Sequence, residues 1–496
     1  MGKEFIKLTG IVKSFAGVQA LQNVDFSICE GEIRSLAGEN GSGKSTLIKI
    51  IAGFYEPDAG TIEIGGKQFA HLTPKQAIRE GIQIIYQDFA VFPNLSVAEN
   101  IAITSEYNSG RRLVDWKTIR SRAQGIMQEL GIDLDPDAIL STLPVADKQL
   151  VAICRALVQD AKLLIMDEPT TALTKKEVTE LFRLVRALKE KGVAILLVSH
   201  KLEEVFEIAE ELTILRNGRL VIEGHMKDFN TESFVYYMTG RELDKSRFAG
   251  SEKPGAELLK VEAISAKTLF EDVSFTLREG EILGITGLLG SGRSELARAL
   301  FGMIRLNSGS ITLAGERVRL RNVRDAIAHG IAYVPEDRLT EGLFLPHTIN
   351  RNIMIVAFRK FFSRLGFVRK DVLKRTVDHW IDELKIVTPS GELPAQSLSG
   401  GNQQKVVIVK WLENDPRVLI LNSPTVGVDV GSKADIHAYA RKLARQGMGV
   451  IIISDDISEI LQNCNRVLVM KRGRIVSEHQ AAELTEAQLS EQLRED

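Results

Sequence analysis

A chain of 496 residues, 44% of them hydrophobic, exceeds what one ordinary core absorbs, and roughly two to four domains are expected. Its 63 lysines and arginines stand against 65 aspartates and glutamates, a formal charge of -2, so no basic field asks for DNA, RNA or an anionic membrane. Cys29, Cys154 and Cys464 are scattered without CxxC spacing, which argues against a zinc or disulfide framework and leaves them as packing residues in a reducing compartment.

The chain begins MGKEFIKLTG, without the apolar stretch of a secretory leader. No apolar run approaches the ~18 to 20 residues that span a bilayer, so a soluble protein is expected unless a partner holds it to a membrane. GENGSGKST follows, with Gly38, Glu39, Asn40, Gly41, Ser42, Gly43, Lys44, Ser45 and Thr46 fitting the phosphate-binding pattern GxxxxGK[ST] between a strand and a helix. Its glycines let successive N–H groups point at phosphate oxygens. Lys44 reaches the β and γ phosphates, and the Ser45 hydroxyl can ligate Mg²⁺. Next, IIYQDF places Gln87 at the end of a short apolar run.

LLIMDEPTTALT, residues 163–174, ends a strand run with Asp167 and Glu168, whose carboxylates emerge where open α/β sheets bind ligands. Asp167 is expected to hold Mg²⁺ through water, and Glu168 to orient and polarise an attacking water. KKEVTELFRLVRALKEKG predicts an amphipathic helix, and GVAILLVS a strand followed by His200, where a neutral imidazole could bond a γ-phosphate. Alone, adjacent acids also fit surface charge and a single histidine fits a structural role; the phosphate-binding match upstream favours chemistry. Alternating strand runs and amphipathic helices predict α/β domains with mostly parallel sheets.

The pattern then repeats. FSICEGEIRSLAGENGSGKSTLIKIIAGFYEPDAGTIEIGG, from Phe26, aligns without a gap on FTLREGEILGITGLLGSGRSELARALFGMIRLNSGSITLAG, from Phe275. The offset of 249 carries Gly38 to Gly287 and Gln87 to Glu336; it becomes 255 for Leu143 to Leu398, Asp167 to Asn422 and His200 to Asp455. A period of that length is a domain duplication, since solenoid repeats are far shorter. The seam is expected in the polar stretch GRELDKSRFAGSEKPGAE, which gives a first domain over 1–240, a linker over 241–256 and a second domain over 257–496.

LSGGNQQK, Leu398 to Lys405, precedes VVIVKWLENDPRVLILNSP in the second half. Here the chain resembles the ATP-binding cassette family, whose signature LSGGQ sits ahead of the Walker B strand. The resemblance covers nearly all of both halves. It implies two tandem P-loop nucleotide-binding domains, each a RecA-like α/β core with an antiparallel β subdomain and a helical subdomain. It further implies ATP and Mg²⁺ as ligands, adenine stacking for Phe15, Q-loop and switch roles for Gln87 and His200, and a place for Gln87 beside Ser45 and Asp167 among the Mg²⁺ ligands. In this family two domains sandwich ATP head to tail, so that Ser399, Gly400 and Gly401 would meet the phosphates held by the other half, here within one chain.

The two halves depart from the family pattern in opposite ways. The first keeps Lys44, Ser45, Gln87, Asp167, Glu168 and His200, but its signature position reads LPVAD: Pro144 replaces the serine, Ala146 a glycine, and Asp147 sets an anion near a helix start that should receive phosphate. The second keeps the signature, but Arg293 stands for lysine ahead of Ser294, Glu336 for glutamine, Asn422 and Ser423 for the acids, and Asp455 for histidine. One competent composite site and one degenerate site are therefore expected.

GLLGSGRSE, YVPEDR, LSGGNQQKVVIVKWL and PTVGVDVGSK are similar to segments of the tandem ATPases of bacterial sugar importers of the ribose, galactose and autoinducer-2 type. That resemblance implies a separate integral-membrane permease, a periplasmic or extracellular solute-binding protein acting indirectly, and a place on the cytoplasmic side of the plasma membrane. Phe89, Val91 and Phe92 would then be exposed permease contacts, unless they pack inside the cassette. RKFFSRLGFVRKDVLKR reads as a solvated face of the helical subdomain. The alternative is a soluble tandem cassette acting on ribosomes as a translation factor; the short linker and lack of basic charge count against it.

Overall fold

The computed structural model describes the chain except residues 1, 16–17, 87–90, 109–113, 171–172, 200, 243–246, 249–254, 364–366 and 495–496. It divides into two compact units, Met1–Leu243 and Asp244–Asp496.

In the first unit the long strands β1 (Glu4–Phe15) and β2 (Val18–Cys29) pair antiparallel. With β3 (Ile33–Ala37), β4 (Ala59–Ile64) and β5 (Lys67–Phe69) following, a four-stranded antiparallel sheet forms in the order β2-β1-β4-β5. The second sheet adds β6 (Ile82–Ile85), β7 (Leu163–Asp167), β8 (Ala194–Val198), β9 (Glu211–Arg216) and β10 (Arg219–His225), in the order β10-β9-β3-β8-β7-β6. Its strands are parallel except for β10 at the edge. β3 and β8 are buried along their whole length, as expected of strands covered on both faces. AILLV of β8 runs apolar throughout, whereas IRSLA of β3 buries Arg34, whose guanidinium donates to Glu32 and Thr213.

Helices Val97–Asn108, Trp116–Leu130 and Val145–Val158 make a separate layer around Ile101, Ile119, Ala123, Met127, Val151 and Cys154. Trp116–Leu130 starts on Asp115, whose carboxylate accepts from the N–H groups of Lys117 and Thr118, and stops at Gly131 in the left-handed region.

The second unit repeats this plan. β11 (Glu257–Ala266), β12 (Phe270–Arg278), β14 (Ser308–Leu313) and β15 (Glu316–Val318) form the antiparallel sheet β12-β11-β14-β15. β13 (Ile282–Thr286), β16 (Ile331–Val334), β17 (Val418–Asn422), β18 (Gly449–Ile453), β19 (Arg466–Lys471) and β20 (Arg474–Gln480) form the sheet β16-β17-β18-β13-β19-β20. This is the order of the first unit strand for strand, and the expected α/β core, antiparallel subdomain and helical layer are present twice.

Arg247 donates to the carbonyls of Ala481, Ala482 and Leu484, and Phe248 is buried with its N–H on Gln462 O, so these residues of the polar seam are tied to the second unit. All three cysteines are free; burial pushes the Cys154 thiol up to about 12. Phe92 is exposed, whereas Val91 is half-buried against the helical layer, which for Val91 favours packing inside the cassette over full exposure. Phe89 lies outside the described residues.

Candidate functional site

The phosphate-binding loop turns from the end of β3 into the helix Lys44–Ile51. Gly43, the residue before that helix, has φ 107°, and a Cβ there would stand 2.7 Å from Ala20 O and from a Leu21 methyl, so only glycine fits. Lys44 opens the helix and its ammonium folds across the loop, donating to Gly38 O at 2.7 Å and Glu39 O at 2.9 Å. Ser45 and Thr46 follow in its first turn. Phe15, at the tip of β1, is 40% exposed and rests edge-on against Tyr55 at 5.1 Å, with the Lys13 ammonium 5.5 Å from its ring centre. The strand tip thus carries an exposed aromatic ring with an ammonium over it.

Asp167 ends β7 and is half-buried. Its carboxyl is raised above the usual aspartate range by burial and by Glu168, against the opposing fields of Lys44 and Lys49. Glu168 sits in the left-handed region at φ 49°, a costly place for a non-glycine residue, and its N–H is held on Val198 O at 2.8 Å. That turn aims successive carboxyl groups off one strand end. Hard oxygen donors near Lys44 fit a Mg²⁺ ion, which usually takes one or two protein ligands and the phosphates of its nucleotide. Asp167 and Ser45 would hold it. Gln87 and His200 lie outside the described residues.

The second unit retains the backbone of this arrangement and replaces its chemistry. Ser423 has φ 47° and its N–H bonds Ile453 O at 2.7 Å, as Glu168 does in the first unit. Arg293 is buried, its guanidinium donating to Gly287 O and standing 3.6 Å from Asp455. Asn422 is fully buried: it accepts from the Ser294 hydroxyl at 3.4 Å and donates to the Tyr333 hydroxyl at 3.3 Å. A neutral relay occupies the place of a metal-binding acid, while Glu336 and Asp455 face solvent.

Lys49 and Tyr333 were not singled out from sequence. The signal for Lys49 was a basic residue kept at the 249 offset, as Arg298. Tyr333 had no such signal, because its first-half counterpart is Ile84.

The signature positions differ as sharply. Ser399 precedes the helix Gly400–Leu412, its hydroxyl accepting from the Asn402 amide at 2.9 Å. A Cβ on Gly401 would stand 2.1 Å from the Ser432 hydroxyl oxygen, and one on Gly400 2.7 Å from the Arg338 guanidinium. Close packing requires glycine at Gly401; at Gly400 the group met is the movable end of the Arg338 side chain. In the first unit Pro144 precedes the helix Val145–Val158 with no side-chain cap; Ala146 and Asp147 follow in its first turn. The Asp147 carboxyl is raised by burial and by Glu177.

The sequence profile of the family described as ABC transporter matches residues 21–171 and again 270–426. The ribose import ATP-binding protein of Caldanaerobacter subterraneus subsp. tengcongensis is 40% identical over 97% of each chain. That of Chelativorans sp. (strain BNC1) is 43% identical over 98% of this chain and 95% of its own. A solved ATP-binding cassette of an ABC transporter in its ADP conformation is 28% identical, with a TM-score of 0.44 over 48% of this chain and 99% of that one. Two matches in one chain, on the segments that carry the two phosphate-binding loops, identify this protein as a member of the ABC transporter family.

Proposed function

We propose that this chain is the ATP-hydrolysing subunit of a sugar importer, working beside a separate membrane permease on the cytoplasmic face of the plasma membrane. Relatives of nearly the same length are named for ribose import, and one group for ribose, galactose and methyl galactoside import. These names give the translation-factor alternative no support. No helix among the described residues is long and apolar enough to cross a membrane. A solute-binding protein would deliver the sugar to that permease without touching this chain.

The observation that carries the reading is the complementary decay of the two halves. In the proposed mechanism the first unit grips ATP: the loop N–H groups and Lys44 take the phosphates and Phe15 the base. Bound Mg²⁺ supplies positive charge to the phosphate oxygens. Glu168 orients and polarises the attacking water, with Gln87 and His200 around the γ-phosphate. The second-unit signature, Ser399, Gly400 and Gly401, adds donors to that phosphate. ATP then favours whichever state lets both sets of donors reach it, because a ligand shifts an equilibrium only by differential affinity. The site built from Arg293, Ser294, Asn422 and Ser423 with Pro144, Ala146 and Asp147 would not turn ATP over.

Steady-state ATPase activity with the permease tests this. Glu168→Gln and Ser399→Ala are each expected to lower turnover at least about a hundredfold, the scale on which single transition-state donors act. Near wild-type activity in Glu168→Gln would place hydrolysis elsewhere.

A further inference from the structure

Arg338 lies in the segment that follows β16, and no nucleotide-binding motif includes it. Asp337 before it caps a tight turn, accepting from the N–H groups of Leu339 and Thr340, which sends the Arg338 side chain back across the unit. Its guanidinium donates to Val426 O at 2.8 Å and to Gly427 O at 3.1 Å, both in the loop between β17 and the helix Val430–Arg445. The same fork lies against the start of the signature helix, where a Gly400 Cβ would stand 2.7 Å from it and 3.0 Å from Gly427 O. Gly401 packs beside them, against Asp429 and Ser432. One planar cation therefore joins three stretches: the segment at Glu336, the loop after Asn422 and Ser423, and the signature.

The first half lacks both parts of this arrangement in sequence. Phe89 stands at the position matching Arg338, and Val145 and Ala146 stand for the two glycines. The guanidinium and the room for it occur together in the half whose signature is intact.

We propose that Arg338 is a positioning residue for ATP hydrolysis: it clamps the loop at Val426 and Gly427 onto the signature helix, and so fixes Ser399 and the N–H groups of Gly400 and Gly401 toward phosphate. The proposal rests on the assignment of the second-unit signature to the hydrolytic site. A bidentate fork suits this task, because it fixes both distance and orientation where an ammonium fixes only one contact.

The test is ATPase kinetics of the full chain with its permease for Arg338→Ala, Arg338→Lys, Ser399→Ala and the double variant Arg338→Ala/Ser399→Ala, beside thermal melting of each. Arg338→Ala is expected to lower kcat about tenfold to a hundredfold, the effect of a misplaced group, with KM changed much less. Arg338→Lys should recover part of the loss, and the double variant should be no slower than Ser399→Ala, because both act through one contact. Full turnover in a folded Arg338→Ala, or losses that multiply in the double variant, would overturn the proposal. If Arg338→Ala does not fold, Gly400→Ala takes its place: its methyl displaces the guanidinium and should give the same loss in kcat, and wild-type kcat there counts against the clamp. A silent Ser399→Ala overturns the assignment of the signature and the clamp with it, whereas a slow Ser399→Ala beside an unaffected Arg338→Ala overturns the clamp alone.

Discussion

Asp167 and Asn422 end equivalent strands, one as a half-buried acid between two lysines and the other as a fully buried amide bonded to Ser294 and Tyr333. Burial raises the Asp167 carboxyl, so the folded chain holds its proton more tightly than the unfolded chain does. Stability should therefore fall as pH rises from the ordinary aspartate value through the raised one. Asp167→Asn removes that loss and copies what the second unit already carries. In the absence of nucleotide and metal it is expected to raise stability by about 1 kcal/mol at pH 7, to flatten the pH dependence at acid pH, and to abolish ATPase activity. Denaturant melts at several pH values check the first two; a variant less stable than wild type at pH 7 would mean that the lysines outweigh burial. The exchange of acid for amide was legible in sequence, because the strand runs align. The relay through Tyr333 was not: it depends on which way a β16 side chain points, and Ile84 at the matching position gives no hint of a hydroxyl.

At the level of elements, the two signature helices show why motif loss is more than loss of contacts. Helix Gly400–Leu412 is buried along nearly its whole length, and its first turn presses on Asp429 and Ser432. A methyl at Gly401 cannot be accommodated without backbone movement, so Gly401→Ala should cost about 1 to 3 kcal/mol by overpacking and reduce turnover as well. Ala146→Gly in the first unit restores one signature glycine without Ser399's counterpart, and should change neither activity nor stability by more than the usual about 1 kcal/mol penalty of a helix glycine. Thermal melts paired with turnover rates check both; an unperturbed Gly401→Ala would show that the packing relaxes. The need for glycine here could be named from sequence only through the family resemblance, because what it must avoid, Ser432 and Arg338, comes from distant segments.

At the scale of the whole molecule, the duplication was plain in the ungapped alignment of the two halves, and the identical strand orders follow from it. Strand runs such as LLIM and AILLV announced a parallel sheet because both faces are covered. The antiparallel subdomain was known only by resemblance: the sequence of β1, EFIKLTGIVKSF, carries irregular pairing with β2 that disturbs a simple alternation. The duplicated fold and the divergent motifs together make the central claim, that one chain runs one hydrolytic site. Its most direct test is the number of ATP molecules retained by Glu168→Gln assembled with the permease, counted after rapid removal of free nucleotide. The account predicts one tightly held ATP per chain, lost when Ser399→Ala is added. Retention of every bound ATP after Ser399→Ala is added would contradict it.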